Sequence, residues 1–390
     1  MKNYYYDHCA STPMWPTVVE TMTELMKLHY ANASALHRSG AEAMKLVDRA
    51  RSSVAERMGA KPNEVIFTSG GTESNNLAIK GLINQAARTA KHMIVSAVEH
   101  ASVTECAKQL EAAGVRLTIL PVDRLGRVNP KDLVSAIDKD TVLVSVMHVN
   151  NETGTIQPIR EIGQAIAAFP HVKFHVDGIQ AIGRVPFDWA NDGVHLYSGS
   201  AHKFGGPKGM GFLLVKEGID LTPLLNGGSQ ESGVRSGTHN VPGIVAMSQA
   251  LRLASESMDS RREKMYLLRR QLLSIVSEIP ELVVNGANGE GEREITAPHV
   301  LNISYPGMRP EVIIHMLEKH SILVSSQSAC SSKSLRPSKV LLAMGFDADR
   351  ASGSIRISFG DEHTEEDVAV LGERLRTVVA KLKPLERNDK

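Results

Sequence analysis

The chemistry available to this 390-residue chain is concentrated in a few short stretches. In VHLYSGSAHKFGGPKGMGFLLV an apolar strand runs into Ser-Ala-His-Lys, then a glycine-bounded turn, then a second apolar strand. Lys203 therefore stands beside His202 between two strands that bury themselves. A lysine that loses solvation there has a lowered pKa, and its free amine is a nucleophile toward carbonyls. Taken alone, Lys203 reads more readily as a surface turn lysine. Three other stretches change that balance.

In FTSGGTESNNLAI a strand ends in Ser69-Gly70-Gly71-Thr72 and opens a helix. Glycines at a helix start let backbone N–H groups approach an anion, and the helix dipole favours a phosphate there. The turn is neither a Walker loop nor a dinucleotide GxGxxG, and strand–Gly–helix turns also occur for geometry alone. In HVDGIQAIG, Asp177 falls at the end of an apolar strand, where α/β sheets gather ligand groups. A buried carboxylate needs a cationic partner, and a pyridinium nitrogen is one. Further polar residues end other strands: Glu99-His100, Asn150-Asn151-Glu152 and His175. An imidazole such as His100 can stack on a flat ring and move protons near neutral pH. Histidines 100, 148, 175 and 202 show no HExxH or comparable ligand spacing, so no metal is expected.

A lone thiol, Cys330, sits in VSSQSACSSKS among serines, with little that could pack. The three cysteines form no CxxC and leave an odd thiol, which suits a reducing cytoplasm. Cys9 and Cys106 read as small packing residues.

These stretches need a scaffold that places strand ends together. From about residue 63 short strands rich in Val and Ile alternate with helical segments such as residues 74–88 and 103–113. That alternation predicts a mostly parallel sheet covered on both faces. A long amphipathic run spans residues 244–279, as one bent helix or two. After it strands and helices segregate into an α+β unit, and the last helix carries Val368, Leu371, Leu375, Val378 and Leu382 on one face. Thr364 with Asp367 is its expected N-terminal cap. We expect a large domain over residues 14–255 and a small domain formed by residues 1–13 and 256–390. A net charge of +1 provides no field to attract nucleic acid or membrane. The opening lacks the apolar run of a secretion signal and no window approaches a membrane span, so a cytoplasmic protein is expected.

Over essentially its whole length the chain resembles the group I cysteine desulfurases of the NifS/IscS type, fold-type I pyridoxal-phosphate enzymes. YYYDHCASTP, EVIFTSGGTESNNLAIKG, EH at 99–100, HVNNETG, HVDGIQ, SGSAHKFGGPKG, RSGTHNVP, SSQSACSSKS and SIRISFG follow one another in the family order. The resemblance implies that Lys203 holds the cofactor covalently, Asp177 pairs with the pyridine nitrogen, Gln180 bonds the ring oxygen and His100 stacks on the ring. Gly71, Thr72, Ser200 and His202 would form the phosphate cup, completed by Thr238 from the other subunit of a homodimer. Arg356 would clamp the substrate carboxylate with its planar fork, and Asn151 would help to position the substrate. The implied reaction takes sulfur from L-cysteine, leaves L-alanine, and holds the sulfur as a persulfide on Cys330 for an acceptor protein. Acceptors in the family include iron–sulfur scaffolds and tRNA-thiolating enzymes.

Four positions depart from the family pattern. Ser11 stands where Thr is common, Gly178 where Ala is frequent, Gln327 where a glycine is usual and Ser232 where arginine is often found. We expect Gly178 to do no more than loosen packing, Gln327 to stiffen or re-aim the cysteine loop, and Ser232 to alter the dimer contact. The competing readings are an aminotransferase or a selenocysteine lyase on the same fold, and a non-catalytic sulfur carrier. The first needs no thiol loop, and the second has a shorter loop around another cysteine motif. The third has no use for Lys203, Asp177 and Cys330 together.

Overall fold

The computed structural model describes residues 2–87, 91–289, 291–326 and 337–385. Cys330 and Gln327 lie outside the described residues.

The apolar strands form one seven-stranded sheet. Across it lie Val65–Thr68, Gly211–Val215, Leu196–Ser200, Lys173–Asp177, Thr141–Ser145, His92–Ser96 and Arg116–Leu120. Gly211–Val215 runs antiparallel to both its neighbours, and the other pairs are parallel. Successive side chains alternate between two cores, as the period of two requires. Phe67, Phe212 and Leu214 join the helices Pro16–Leu28, Arg38–Met58 and Val241–Glu256. Ile66, Leu213 and Val215 join Gly71–Gln85 and Ala101–Ala112. Coverage on both faces explains why these strands read as continuous apolar runs. The mixed α/β architecture expected from the sequence is therefore observed.

A second core forms around an antiparallel sheet with Val300–Ser304 between Ser354–Ser358 and Val283–Asn285. Helices Met258–Ser277, Pro310–Glu318 and Glu365–Leu382 pack on it. The long run around residues 244–279 resolves into two helices meeting at Ser257. The first contributes Ile244, Ala250 and Leu251 to the larger core, and the second contributes Met265, Leu268 and Leu272 to the smaller one. In the last helix all five predicted face residues are buried. Its capping box is formed: Asp367 N–H donates to Thr364 Oγ1 at 3.2 Å, and Thr364 N–H donates to Asp367 Oδ2 at 3.1 Å.

The N-terminal strand Tyr4–Tyr5 pairs in parallel with Ile322–Leu323. The chain then continues past Ser358, whose N–H donates to the Tyr6 carbonyl at 2.8 Å, toward the end of Leu196–Ser200. Among the described residues no helix is long and apolar enough to cross a membrane.

Candidate active site

Except for Gly211–Val215, the strands of the large sheet point their carboxyl ends to one side, the edge at which open α/β sheets collect ligand groups. Strand Leu196–Ser200 ends there and turns through Ala201–Lys203. The Lys203 ammonium donates to the carbonyl oxygens of Cys9 and of Ala10, the latter at 2.9 Å. Burial lowers Lys203 to about 8; Cys9 opposes the fall, and Arg356 and Arg184 add to it. An appreciable fraction of the amine is thus neutral, and nucleophilic, close to physiological pH. Burial, with the charge of Lys203 beside it, also pushes His202 down to about 4.

Asp177 ends strand Lys173–Asp177 and is buried. Its Oδ1 accepts from Ile179 N–H at 3.0 Å, and its Oδ2 accepts from Asn75 Nδ2 at 2.7 Å. Asn75 comes from helix Gly71–Gln85, and its Nδ2 also donates to Ser102 Oγ at 2.8 Å. Ser102 Oγ lies 2.9 Å from His100 Nδ1, and Ser102 N–H donates to the same nitrogen at 3.1 Å. With Nδ1 accepting, the neutral His100 ring carries its proton on Nε2. Burial holds the His100 pKa below its ordinary value, against the pull of Asp177. A continuous hydrogen-bonded chain therefore runs from the carboxylate of Asp177 to the imidazole of His100.

Arg356 lies in the middle of Ser354–Ser358, almost fully buried. Its Nη2 donates to Asp7 Oδ1 and its Nη1 to the Asn151 carbonyl, both at 2.9 Å, while its Nε has no partner. Two edges of the fork are thus fixed, and N–H groups remain for a carboxylate. Asp7 Oδ2 accepts from Ser325 Oγ at 3.1 Å, and buried Glu152 accepts from Ser338 Oγ at 2.6 Å. The chain on both sides of residues 327–336 is thereby tied to the neighbourhood of Arg356.

One cavity of about 210 Å³ has Lys203, His100, Gly71, Thr72, Asp177, Gln180, Ser200, His202, Arg356 and Asn151 in its wall. These are the predicted site residues except Thr238, which is exposed and outside that wall, and Cys330, which lies outside the described residues. A second cavity of about 340 Å³ shares His100 and Asn151 with the first and includes Pro337. Residues 4–371 match the aminotransferase class-V family. The chain belongs to that family. It is 42% identical over 385 residues to cysteine desulfurase IscS of Dictyoglomus turgidum, covering 98% of this chain and 96% of the relative. A solved NifS-like protein superposes with a TM-score of 0.90 at 34% identity, covering 98% of this chain and 100% of that one. A structure of SspA in complex with cysteine gives a TM-score of 0.81 at 32% identity, covering 92% and 99%.

For a class-V family member the site has what pyridoxal phosphate requires. Gly71 and Thr72 open a 15-residue helix, and Ser200 and His202 line the same cavity. A β-carbon at Gly71 would sit 2.1 Å from Ile179 Cδ1, so a larger residue there would push the Ile179 side chain aside in the loop after Asp177. A carboxylate, an amine of lowered pKa and an imidazole complete the donor set. Gln180 Nε2 donates to the Cys9 carbonyl at 3.0 Å.

Three contributors were missed from sequence. Asn75 and Ser102 join Asp177 to His100, and no local pattern in the sequence marked either. The backbone of Cys9, read only as packing, accepts from both Lys203 and Gln180. The expectation for Gly178 needs correction. Far from leaving slack, its missing side chain is replaced by the Tyr197 ring, whose Cζ lies 2.0 Å from where a β-carbon would be. Ser232 is exposed with φ of 56° in a turn anchored by Glu231. Ser11 Oγ sits 3.4 Å from His202 Nδ1.

His8, Glu362 and His363 bring ligand-type atoms within 4.8 Å of one another. Gly360 N–H donates to His363 Nδ1 at 2.9 Å, which leaves the proton of the neutral ring on Nε2, the atom a metal would need free. The trio is better described by the 2.7 Å hydrogen bond between His8 and Glu362.

Proposed function

We propose that this chain is a pyridoxal-phosphate-dependent cysteine desulfurase that moves the sulfur of L-cysteine to Cys330 and on to an acceptor protein. The observation that carries the reading is the meeting of Lys203, Asp177 and Arg356 in one cavity of a chain 42% identical to a cysteine desulfurase. The cofactor, when bound, supplies an electron sink for the α-carbon of the substrate.

The chain's own groups supply the rest. Lys203 would hold the cofactor, and Asp177 would pair with its ring nitrogen. The backbone of Gly71 and Thr72, with Ser200 and His202, would receive the phosphate. Gln180 would bond the ring oxygen, and His100 would stack on the ring. Arg356 receives the substrate carboxylate on its free N–H groups while Asp7 and the Asn151 carbonyl hold its plane, and the Asn151 side chain borders the substrate. The Lys203 amine would accept the α-proton, and burial keeps that amine from being fully protonated. His100, with its proton on Nε2, can return a proton to product. The Cys330 thiolate then attacks the substrate sulfur: an S–S bond forms, the C–S bond breaks, and Cβ gains a proton. One sulfur atom moves from cysteine to the enzyme and L-alanine departs, with no external oxidant or reductant.

Residues 14–255 serve as the cofactor domain, and residues 1–13 with 256–390 as the domain bearing the cysteine. Thr238 would act in the site of a second copy, which makes the working unit a homodimer. We place the protein in the cytoplasm, feeding an iron–sulfur scaffold, a tRNA-thiolating enzyme or a similar acceptor. The test is to supply the purified, cofactor-loaded protein with L-cysteine and a thiol reductant. Equal amounts of alanine and sulfide are expected, and Cys330→Ala should still bind L-cysteine, seen as a change in the visible spectrum, yet release no sulfide. Undiminished turnover in that variant removes Cys330 from the reaction.

A further inference from the structure

Arg184 is buried beside the lysine turn, and its hydrogen-bond acceptors are all neutral. Its Nη1 donates to Gln180 Oε1 at 3.2 Å. Its Nη2 donates to Thr12 Oγ1 at 3.1 Å and to the Lys203 carbonyl at 2.7 Å. Its Nε is buried without a partner. The carboxylate whose charge reaches it, Asp361, is already bonded to Arg261 Nε at 2.5 Å. Burial lowers even this guanidinium to about 10.

A buried full charge among neutral acceptors is costly unless a counter-charge comes from elsewhere. The neighbouring charges do not provide one. Asp7 is paired with Arg356, Asp177 is not among the charges that reach Arg184, and Lys203 adds a second cation on the same side; Cys9 and Asp361 favour the charged form, but burial still outweighs them. The site is therefore built with positive charge in excess at the edge where Gln180 and Lys203 meet. An anionic ligand edge would balance it.

Arg184 also decides which way Gln180 faces. A guanidinium only donates, so the amide must present its oxygen to Arg184 and its Nε2–H to the opposite side. That side holds the Cys9 carbonyl and the cavity.

We propose that Arg184 is a positioning residue that aims the Gln180 N–H at the ring-oxygen edge of the cofactor and supplies the positive charge that keeps this edge deprotonated. The proposal rests on Lys203 holding pyridoxal phosphate, and its test separates the two. Besides Arg184, the charged or titratable groups around Lys203 are Cys9, Asp7 and Arg356, with His202 and His100 near it. Replacing Arg184 leaves these residues in place, though its charge also lowers His202, so the charge-keeping Arg184→Lys is the control that separates charge from packing.

The experiment is a pH titration of the visible absorbance of the cofactor-loaded protein, with the dissociation constant of pyridoxal phosphate measured on the stripped protein. Removing a positive charge lets the lysine–cofactor linkage keep its proton to higher pH. Arg184→Gln should therefore raise the spectroscopic midpoint by roughly one pH unit and weaken cofactor binding on the order of tenfold. Arg184→Lys, which keeps the charge, should stay within about 0.3 of the wild-type midpoint. Arg184→Met, unbranched and similar in length, takes the place of Arg184→Gln if that variant does not fold. A wild-type midpoint in the charge-removing variant, or an equal shift in Arg184→Lys, overturns the proposal. Absence of a visible band in the wild type instead overturns the cofactor assignment to Lys203.

Discussion

The aromatic ring of Tyr197 fills the space that a side chain on Gly178 would require. A β-carbon at 178 would lie 2.0 Å from Cζ and 2.1 Å from Cε1 of that ring. Tyr197 cannot easily withdraw, because it stacks on Phe187 with centroids 4.0 Å apart and its hydroxyl lies 3.1 Å from His148 Nδ1. Gly178 follows Asp177 directly and donates to the Ser198 carbonyl at 3.1 Å. Gly178→Ala should therefore destabilise the protein by about 1–3 kcal/mol through overpacking. It should also weaken cofactor binding by disturbing Asp177. Urea unfolding checks the first effect, and Tyr197→Leu in the same chain should recover part of the loss. A Gly178→Ala protein as stable as wild type would show that the ring moves freely.

On the role proposed for Lys203, its lowered pKa sets a pH dependence for cofactor capture. Only the neutral amine attacks an aldehyde, and its fraction rises with pH through about 8 instead of through the ordinary lysine value of 10.5. The uptake rate of pyridoxal phosphate by stripped protein should therefore increase steeply between about pH 7 and about pH 8.5 and level off beyond. Stopped-flow absorbance measures it. Lys203→Ala should develop no stable visible band at any pH. A rate still climbing at pH 10 would contradict the desolvated amine.

Arg356→Lys keeps a positive charge but gives up the planar fork that Asp7 and the Asn151 carbonyl orient. Loss of a charge-assisted hydrogen bond to the substrate should raise KM for L-cysteine on the order of tenfold or more. The cofactor band should be unchanged, and kcat should fall less than kcat/KM. Steady-state kinetics decides, and normal saturation would remove Arg356 from substrate binding.

Glu231 governs a different pH range. Its Oε1 accepts from Arg51 Nη2 at 2.6 Å and lies 2.8 Å from His239 Nε2; its Oε2 accepts from Arg51 Nη1 at 2.7 Å and from Phe67 N–H at 2.9 Å. Burial opposes ionisation, but Arg51, His239 and the Phe67 amide together hold the carboxyl down to about 2. A depressed folded value means a stabilising contribution that is full above the unfolded value of 4.5 and is lost as pH falls toward 2. These contacts anchor a turn in which Glu231 and Ser232 have φ of 48° and 56°, a conformation that side chains rarely adopt. Glu231→Gln should cost about 3 kcal/mol at pH 7, with the difference from wild type shrinking below pH 4.5. Thermal unfolding across pH follows it. Because this turn leads to Thr238, which the proposed homodimer would bring to a second copy's site, analytical ultracentrifugation should find self-association of the variant weaker than that of wild type.

The sequence was most informative where chain order and strand ends coincide. Lys203, Asp177 and His100 each end or follow an apolar run, and a parallel sheet brings such ends together whatever the details of packing. Arg356, in contrast, sits mid-strand in a different sheet, and its place was legible only through family likeness. Asn75 and Arg184 were illegible for another reason. Each matters through one hydrogen-bonded neighbour that the fold, and no local pattern, puts beside it. The strand Tyr4–Tyr5 escaped notice because two residues are too few to show a period. Gly178 was misread because a glycine looks like missing volume until the ring that replaces it is seen.

That short N-terminal strand has a consequence for biosynthesis. Tyr4 and Tyr5 pair with Ile322 and Leu323, and Cys9 N–H donates to Ser358 Oγ at 2.9 Å. The carbonyls that receive the Lys203 ammonium therefore reach their places only after residues 322–323 and 358 have left the ribosome. A nascent polypeptide can fold its seven-stranded sheet from residues 65–215 before then, but it cannot close the wall around its lysine until those later strands exist. Loading with cofactor at that lysine thus waits for segments made more than a hundred residues after it.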